Sequence, residues 1–328
     1  MTKQNTSRRF LNRLLKGLCI VSAVCISGLS VAVDTDNDGL PDDWEIANGR
    51  DPLVADYMVS AGNGHTCALD DTGVVCWGNN RFGATTVPTL TEPTQVSAGN
   101  EHTCALDDTG VVCWGSENEY GQTTVPALTN PTQVSAGGDY NHNCALDDTG
   151  AVCWGDNANG RATAPTLTNP TQVSAGKAHT CALDDTGVVC WGNGQTTVPA
   201  LTNPTQVSAG YYHTCALDDT GVVCWATNGQ KTTVPALTNP THVSANGPTC
   251  ALDDTGVVCW ATNGQKTIWP PVLTNPSQVS VGGAHKCALD DKGVYCWGSN
   301  GNGQSTIPNL LIDPDGDGYN NQGGIDPF

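Results

Sequence analysis

The chain has 328 residues, of which 38% are apolar and only 14% charged, and its formal net charge is −19. That acidity excludes a general nucleic-acid binder or a protein that clings to anionic membranes, because both need a basic surface. With 38 glycines, 19 prolines and 16 cysteines it reads as a turn-rich, all-β chain rather than a helical one.

Residues 1–32 read as a Sec-type signal peptide. Arg8, Arg9, Arg13 and Lys16 form a basic region, residues 18–31 an apolar run, and Ser30 and Ala32 supply the small side chains of a cleavage site. An uncleaved anchor is the alternative, although the run is short for a membrane span. Cleavage takes away five basic and no acidic side chains, leaving a net charge of −24. The mature protein is expected to be secreted, periplasmic or on the cell surface, with no integral membrane span, no nucleic-acid partner and a monomeric state.

Residues 33–56 carry the first metal signal. Asp34, Asp36, Asp38, Leu40, Asp42 and Glu45 take positions 1, 3, 5, 7, 9 and 12 of a twelve-residue calcium loop, with Gly39 at the sharp turn. Alternate carboxylates of a curled loop converge on a hard cation. Leu40 would offer its carbonyl, Asp42 would bind directly or through water, and Glu45 would be bidentate; an acidic linker is the plain alternative. Residues 34–53, ending Gly49-Arg50-Asp51-Pro52-Leu53, resemble the calcium-binding repeats of bacterial surface proteins related to thrombospondin type 3 repeats.

Residues 57–312 are a sevenfold repeat. Cys67-Ala68-Leu69-Asp70-Asp71-Thr72-Gly73-Val74-Val75-Cys76-Trp77-Gly78 returns with small changes, and the second cysteine always follows nine positions after the first. Each copy reads as Val-Ser-Ala-Gly, a short linker, His-Thr-Cys-Ala-Leu, an Asp-Asp-Thr-Gly turn, Val-Val-Cys-Trp-Gly, a variable loop and a proline-rich return. Three or four short strands per copy are expected, too few to bury a core alone, so the copies must stack. A two-residue loop at Asp71-Thr72 sets Cys67 opposite Cys76 with Cα atoms about 4.5 Å apart, a separation that a disulfide accepts. The same register pairs Cys104 with Cys113, Cys144 with Cys153, Cys181 with Cys190, Cys215 with Cys224, Cys250 with Cys259 and Cys287 with Cys296. In an exported chain these cysteines form disulfides rather than zinc sites.

The phrase Gly-x-x-His-x-x-Ala-Leu followed by Val-x-x-Trp-Gly is similar to the regulator of chromosome condensation family, whose members form seven-bladed β-propellers. Gly121-Gln122-Thr123-Thr124-Val125-Pro126 resembles a secreted bacterial branch that includes a propeller inhibitor of β-lactamases. The resemblance implies an all-β, seven-bladed β-propeller with one disulfide-stapled hairpin per blade. Repeat six departs from the pattern, with Pro248 where histidine is expected.

His65, His102, His142, His179, His213 and His285 recur at one repeat position, which fits a structural hydrogen bond better than a ring of ligands or bases. The repeated tryptophans fit blade packing, and the Asp-Asp pairs fit turn chemistry. No catalytic constellation breaks the symmetry, so the chain is expected not to be an enzyme. Two loops do vary between copies, one before the histidine and one after Trp-Gly. They supply the candidate ligand residues Arg81, Phe82, Glu119, Tyr120, Tyr140, Asn141, Arg161, Lys177, Tyr211 and Tyr212, with neutral drift of exposed loops as the competing account.

Residues 313–328 hold a degenerate second calcium loop, with Asp313, Asp315, Asp317, Tyr319 and Asn321 at ligand positions but Gly324 where the bidentate acid belongs. The composite expectation is an exported, non-enzymatic propeller that recognises an extracellular or periplasmic protein or glycan through its loops, with calcium at its termini. The alternatives are an inhibitor of a secreted enzyme such as a β-lactamase, or a propeller hydrolase or lyase.

Overall fold

The computed structural model describes residues 57–70, 72–194, 196–226, 229, 231–261, 263–266 and 270–310. The expected signal peptide and both expected calcium loops lie outside the described residues.

Each repeat folds into one three-stranded antiparallel sheet, and seven such sheets follow one another along the chain. In blade 1 the strands are β1 (Met58–Ala61), β2 (His65–Asp70) and β3 (Gly73–Gly78). Blades 2 to 7 occupy residues 95–115, 133–155, 172–192, 206–225, 242–260 and 278–298. The burial pattern explains the repeat's wording. In β1 the apolar Val59 and Ala61 are buried while Met58 and Ser60 are half-buried. All six residues of β2 are buried, as the middle strand of a sheet covered on both faces must be. Ala61 and its counterparts Ala98, Ala136, Ala175, Ala209, Ala245 and Val281 line one small central cavity, so the first strand of every blade is the innermost.

The ring closes between the last blade and the first. Val59 N–H donates to Gln278 Oε1 at 2.7 Å and Ala61 N–H to Ser280 Oγ at 2.9 Å. Val59, Ala68 and Trp77 share an apolar cluster with Cys287, Leu289 and Val294.

The hairpin register is the one the cysteines require: Cys67 faces Cys76 and Asp70 faces Gly73. All seven pairs are disulfides, with Cα–Cα distances of 4.0–4.1 Å. Each closes a ten-residue ring, which in the chain-entropy account stabilises the fold by about 2.5–3 kcal/mol. Gly73 turns the corner at φ +104°, a region that side chains rarely enter.

Of the three or four strands expected, three form a ladder among the described residues; only isolated bridges, Trp225 to Lys231 and Trp260 to Lys266, mark the place of a fourth. The Thr-Val-Pro return places proline where a ladder would need a donor. The start of that return serves the next blade instead: the Ala84 carbonyl accepts from Trp114 Nε1 and Thr103 Oγ1, both at 2.9 Å.

Candidate functional site

Two faces of the ring follow from the strand order. The Asp-Asp turns joining second and third strands lie on one face. The loops joining first and second strands, and those after Trp-Gly, lie together on the other, as the bond from Asn79 N–H to the Gly64 carbonyl at 2.9 Å shows.

The turn face is scaffold. In the pair Asp107-Asp108, Asp107 Oδ1 accepts from Thr109 N–H and Oγ1, and its Oδ2 from Thr91 N–H at 3.0 Å. The second aspartate of a pair takes a different partner: Asp148 Oδ2 accepts from Asn130 Nδ2 at 2.6 Å, holding that asparagine at φ 49° before a proline. The same bond returns at Asn169, Asn203, Asn239 and Asn275. A broad cleft also lies on this face, beside Asp107, Asp108, Pro126 and Pro131. An equivalent beside Asp184, Asp185 and Pro204 shows that it belongs to the repeat and not to a unique site.

The histidines are a structural belt between blades. His65 Nε2 meets Thr103 Oγ1 at 2.9 Å, His142 meets Thr180 at 2.9 Å, His179 meets Thr214 at 2.7 Å, and His285 meets Thr66 at 2.7 Å. His102 Nε2 meets Asn143 Oδ1, a pure acceptor, so this ring carries its proton on Nε2. Nδ1 of all six rings is buried with no partner among the described residues. Burial drives their pKa values down, to about 3 for His65 and His142 and about 4 for His179, His213 and His285. Neutral, buried and repeated, they are no ring of catalytic bases. They also explain the glycine of Val-Ser-Ala-Gly, since a Cβ on Gly62 would sit 2.5 Å from the Gly99 carbonyl oxygen and 2.9 Å from the His65 ring.

Sevenfold repetition breaks on the loop face at blades 3, 4 and 5. The Lys177 ammonium lies 3.5 Å from the centroid of the Tyr211 ring, 5.4 Å from Tyr140 and 5.8 Å from Tyr212. Asp139 Oδ2 completes the group at 3.3 Å from the same nitrogen. Burial works against the Lys177 charge, but Tyr211 and Asp139 outweigh it and raise its pKa above the ordinary lysine value. Tyr211 and Tyr212 meet edge to face at 4.3 Å. Tyr140 and Tyr212 are 41% and 61% exposed, so these rings stand open to solvent.

Of the residues expected to bind ligand, the structure thus unites Tyr140, Arg161, Lys177, Tyr211 and Tyr212. Arg161 plays a supporting part: it is buried, stacks its guanidinium 4.3 Å from the Tyr140 centroid, and is anchored by Asp156 and the Ala158 carbonyl. Asn141 sits at φ 52° with a buried Oδ1, a turn position rather than a presented side chain. Arg81 and Phe82 form a separate pair at 4.9 Å, and Tyr120 stands exposed beside Glu119 on the blade 2 loop. Asp139 was not among the expected residues; the two-residue insertion in repeat three was its signal.

The regulator of chromosome condensation (RCC1) repeat matches in five places, at residues 59–84, 94–122, 171–195, 205–228 and 277–304. The chain is an RCC1-like β-propeller. The bacterial TSP3 repeat matches residues 34–55. The propeller resembles the ectodomain of the Physcomitrella patens receptor kinase CR4, with a TM-score of 0.60 and 24% identity over 74% of this chain and 72% of that one. It also resembles the CRINKLY WD40 ectodomain of the Arabidopsis thaliana receptor kinase ACR4, with a TM-score of 0.59 and 24% identity over 75% and 95% of the chains. Human WBSCR16 has a TM-score of 0.59 at 19% identity over 71% and 86%. At these identities the likeness is one of fold alone. A search of curated protein sequences found no match. No helix among the described residues is long and apolar enough to cross a membrane.

Proposed function

We propose that this propeller is an exported, non-enzymatic binding protein that docks a protein partner on its loop face, with calcium holding its terminal segments. The observation that carries the reading is where the repetition breaks. Frame residues scarcely change between blades, whereas exposed tyrosines and paired charges collect at Tyr120, Tyr140, Lys177, Tyr211 and Tyr212 on one face. Tyrosine and arginine dominate the energetics of protein interfaces, and rigid scaffolds present them on loops. Charge supports the same face. The turn face carries the aspartates of the Asp-Asp turns, whereas on the loop face Arg81, Arg161 and Lys177 stand among Glu101, Glu117, Glu119, Asp139 and Asp156. The loop face thus offers charges of both signs to a partner.

Export is supported by the seven disulfides and the TSP3 match. For calcium, the donor set fits: Asp34, Asp36, Asp38, Asp42 and Glu45 offer hard carboxylate oxygens and Leu40 a carbonyl. Asp313, Asp315, Asp317, Tyr319 and Asn321 would form the weaker site.

The test is affinity capture from the protein's own exterior environment, with and without a calcium chelator. A partner retained by the parent protein and by Lys292→Ala on the turn face, but reduced at least tenfold by Tyr211→Ala/Tyr212→Ala, is the expected result. Equal retention by the tyrosine variant would refute the face, and retention of nothing would refute the function.

A further inference from the structure

We infer that Tyr140, Tyr211, Tyr212 and Asp139 form an aromatic cage for an alkylammonium cation, occupied within the free protein by the Lys177 side chain. The inference shares a surface with the proposed partner site but does not require a protein partner.

The geometry is that of a cation site. Three aromatic rings have their centroids within 6 Å of one ammonium nitrogen, one carboxylate stands beside it, and the Arg161 guanidinium braces the Tyr140 ring at 4.3 Å. Such an arrangement attracts a cation through the ring quadrupoles and neutralises it with one acid. Quaternary and primary ammonium groups fit; a metal ion does not, since a single carboxylate offers too few oxygen ligands.

Two observations argue that the cage is not merely part of the fold. The first is redundancy. Blades 1, 2, 6 and 7 carry Asn63-Gly64, Asn100-Glu101, Asn246-Gly247 and Gly283-Ala284 at the equivalent loop and have the same blade architecture. The cage thus requires a two-residue insertion in blade 3 and a tyrosine pair in blade 5 that the ring does not need. The second is exposure. A cation–π contact contributes most to stability when desolvated, yet Tyr212 is 61% exposed and Tyr140 41%.

Lys177 is a displaceable occupant. Its ion pair with Asp139 is near the surface, with side chains 19% and 31% exposed. Such a pair is weak, because solvent screens it and two flexible side chains must be held. An external ammonium gains the same rings and the same carboxylate once the lysine swings out, and the strongly acidic chain concentrates cations around it. Removing the lysine should therefore uncover the site.

The experiment titrates the parent protein, Lys177→Met, Lys177→Arg and Lys177→Met/Tyr211→Ala with tetramethylammonium. Isothermal titration calorimetry is the readout, at constant ionic strength in sodium chloride. Lys177→Met should bind about tenfold more tightly than the parent, equivalent to about 1.4 kcal/mol. Lys177→Arg should keep the cage filled and show no gain, and adding Tyr211→Ala should abolish the gain. Choline and a trimethyllysine peptide, run in parallel, separate a free small molecule from a modified protein side chain. Circular dichroism checks folding, and Lys177→Ser replaces Lys177→Met should the latter misfold. Equal affinity of the parent and Lys177→Met, or a gain that survives Tyr211→Ala, would overturn the cage. Loss of partner capture with cage binding intact would overturn only the proposed protein interaction.

Discussion

The seams between blades 3 and 4 and between blades 6 and 7 join the same two kinds of surface in different ways. At the first, His142 bonds Thr180, the Arg161 carbonyl accepts from Thr180 Oγ1 at 3.0 Å and Trp191 Nε1 at 2.9 Å, and Gln133 Oε1 accepts from Val173 N–H at 2.7 Å. At the second, every one of these roles is altered. The loop of blade 6 is one residue shorter, so Thr249 follows Pro248 and faces Ala245 with no histidine between them. Lys286 stands where threonine would receive that histidine, Trp297 Nε1 is buried with no partner among the described residues, and His242 replaces the glutamine. Only the serine bond is kept, from Val281 N–H to Ser244 Oγ at 3.0 Å, with Asn246 Nδ2 reaching the Val281 carbonyl at 3.3 Å. Apolar packing continues across the seam through Leu252, Val257, Val279 and Ala288. A propeller seam thus closes on apolar packing and strand-edge bonds, and the histidine belt adds to them.

Acid should break the comparison most strongly. Histidine in the unfolded chain titrates near 6.5, whereas His65 and His142 titrate at about 3 and His179, His213 and His285 at about 4 when folded. The folded state binds fewer protons, so the belt's stability is whole above pH 6.5 and is lost as pH falls from there toward 4. At pH 5 each of the five histidines costs about 2 kcal/mol, and their sum rivals the whole stability of a domain. Urea midpoints measured between pH 7 and 4.5 should therefore collapse steeply; a flat profile would contradict the belt's neutral state. Next in size, His142→Ala should cost about 2–4 kcal/mol, through a lost bond and a cavity at a fully buried ring. Pro248→Ala, at the seam that has no belt, should change stability by less than about 1 kcal/mol. Equal effects in urea denaturation would erase the distinction between the seams. The smallest effect should be a gain: Lys286 is only 5% exposed and burial lowers its pKa, so Lys286→Met should stabilise by about 1 kcal/mol. A lowered midpoint would show that the ammonium has a structural role at this seam.

Much of the frame was legible because it is local. Nine-residue cysteine spacing admits one hairpin register, and the Asp-Asp-Thr-Gly turn carries its own hydrogen-bond logic, so β2 and β3 and their disulfide follow from one repeat. The histidine belt was legible only as structural, without its partners, although a signal was present. Repeat six has no belt histidine, and the copy after it has Lys286 where the others have threonine or asparagine. That paired loss marks a contact between consecutive repeats. Sequence left three or four strands open, and three form because the prolines of the return outweigh its β-prone threonines and valines.

Repetition and cysteine spacing alone determined a stack of stapled hairpins, since both act within one repeat or between neighbours. The candidate site needed the closed ring. Tyr140, Lys177 and Tyr211 belong to three different blades, and only the convergence of inner strand ends on one axis sets an ammonium among their rings. Sequence marks these loops as variable; tertiary structure makes them one surface.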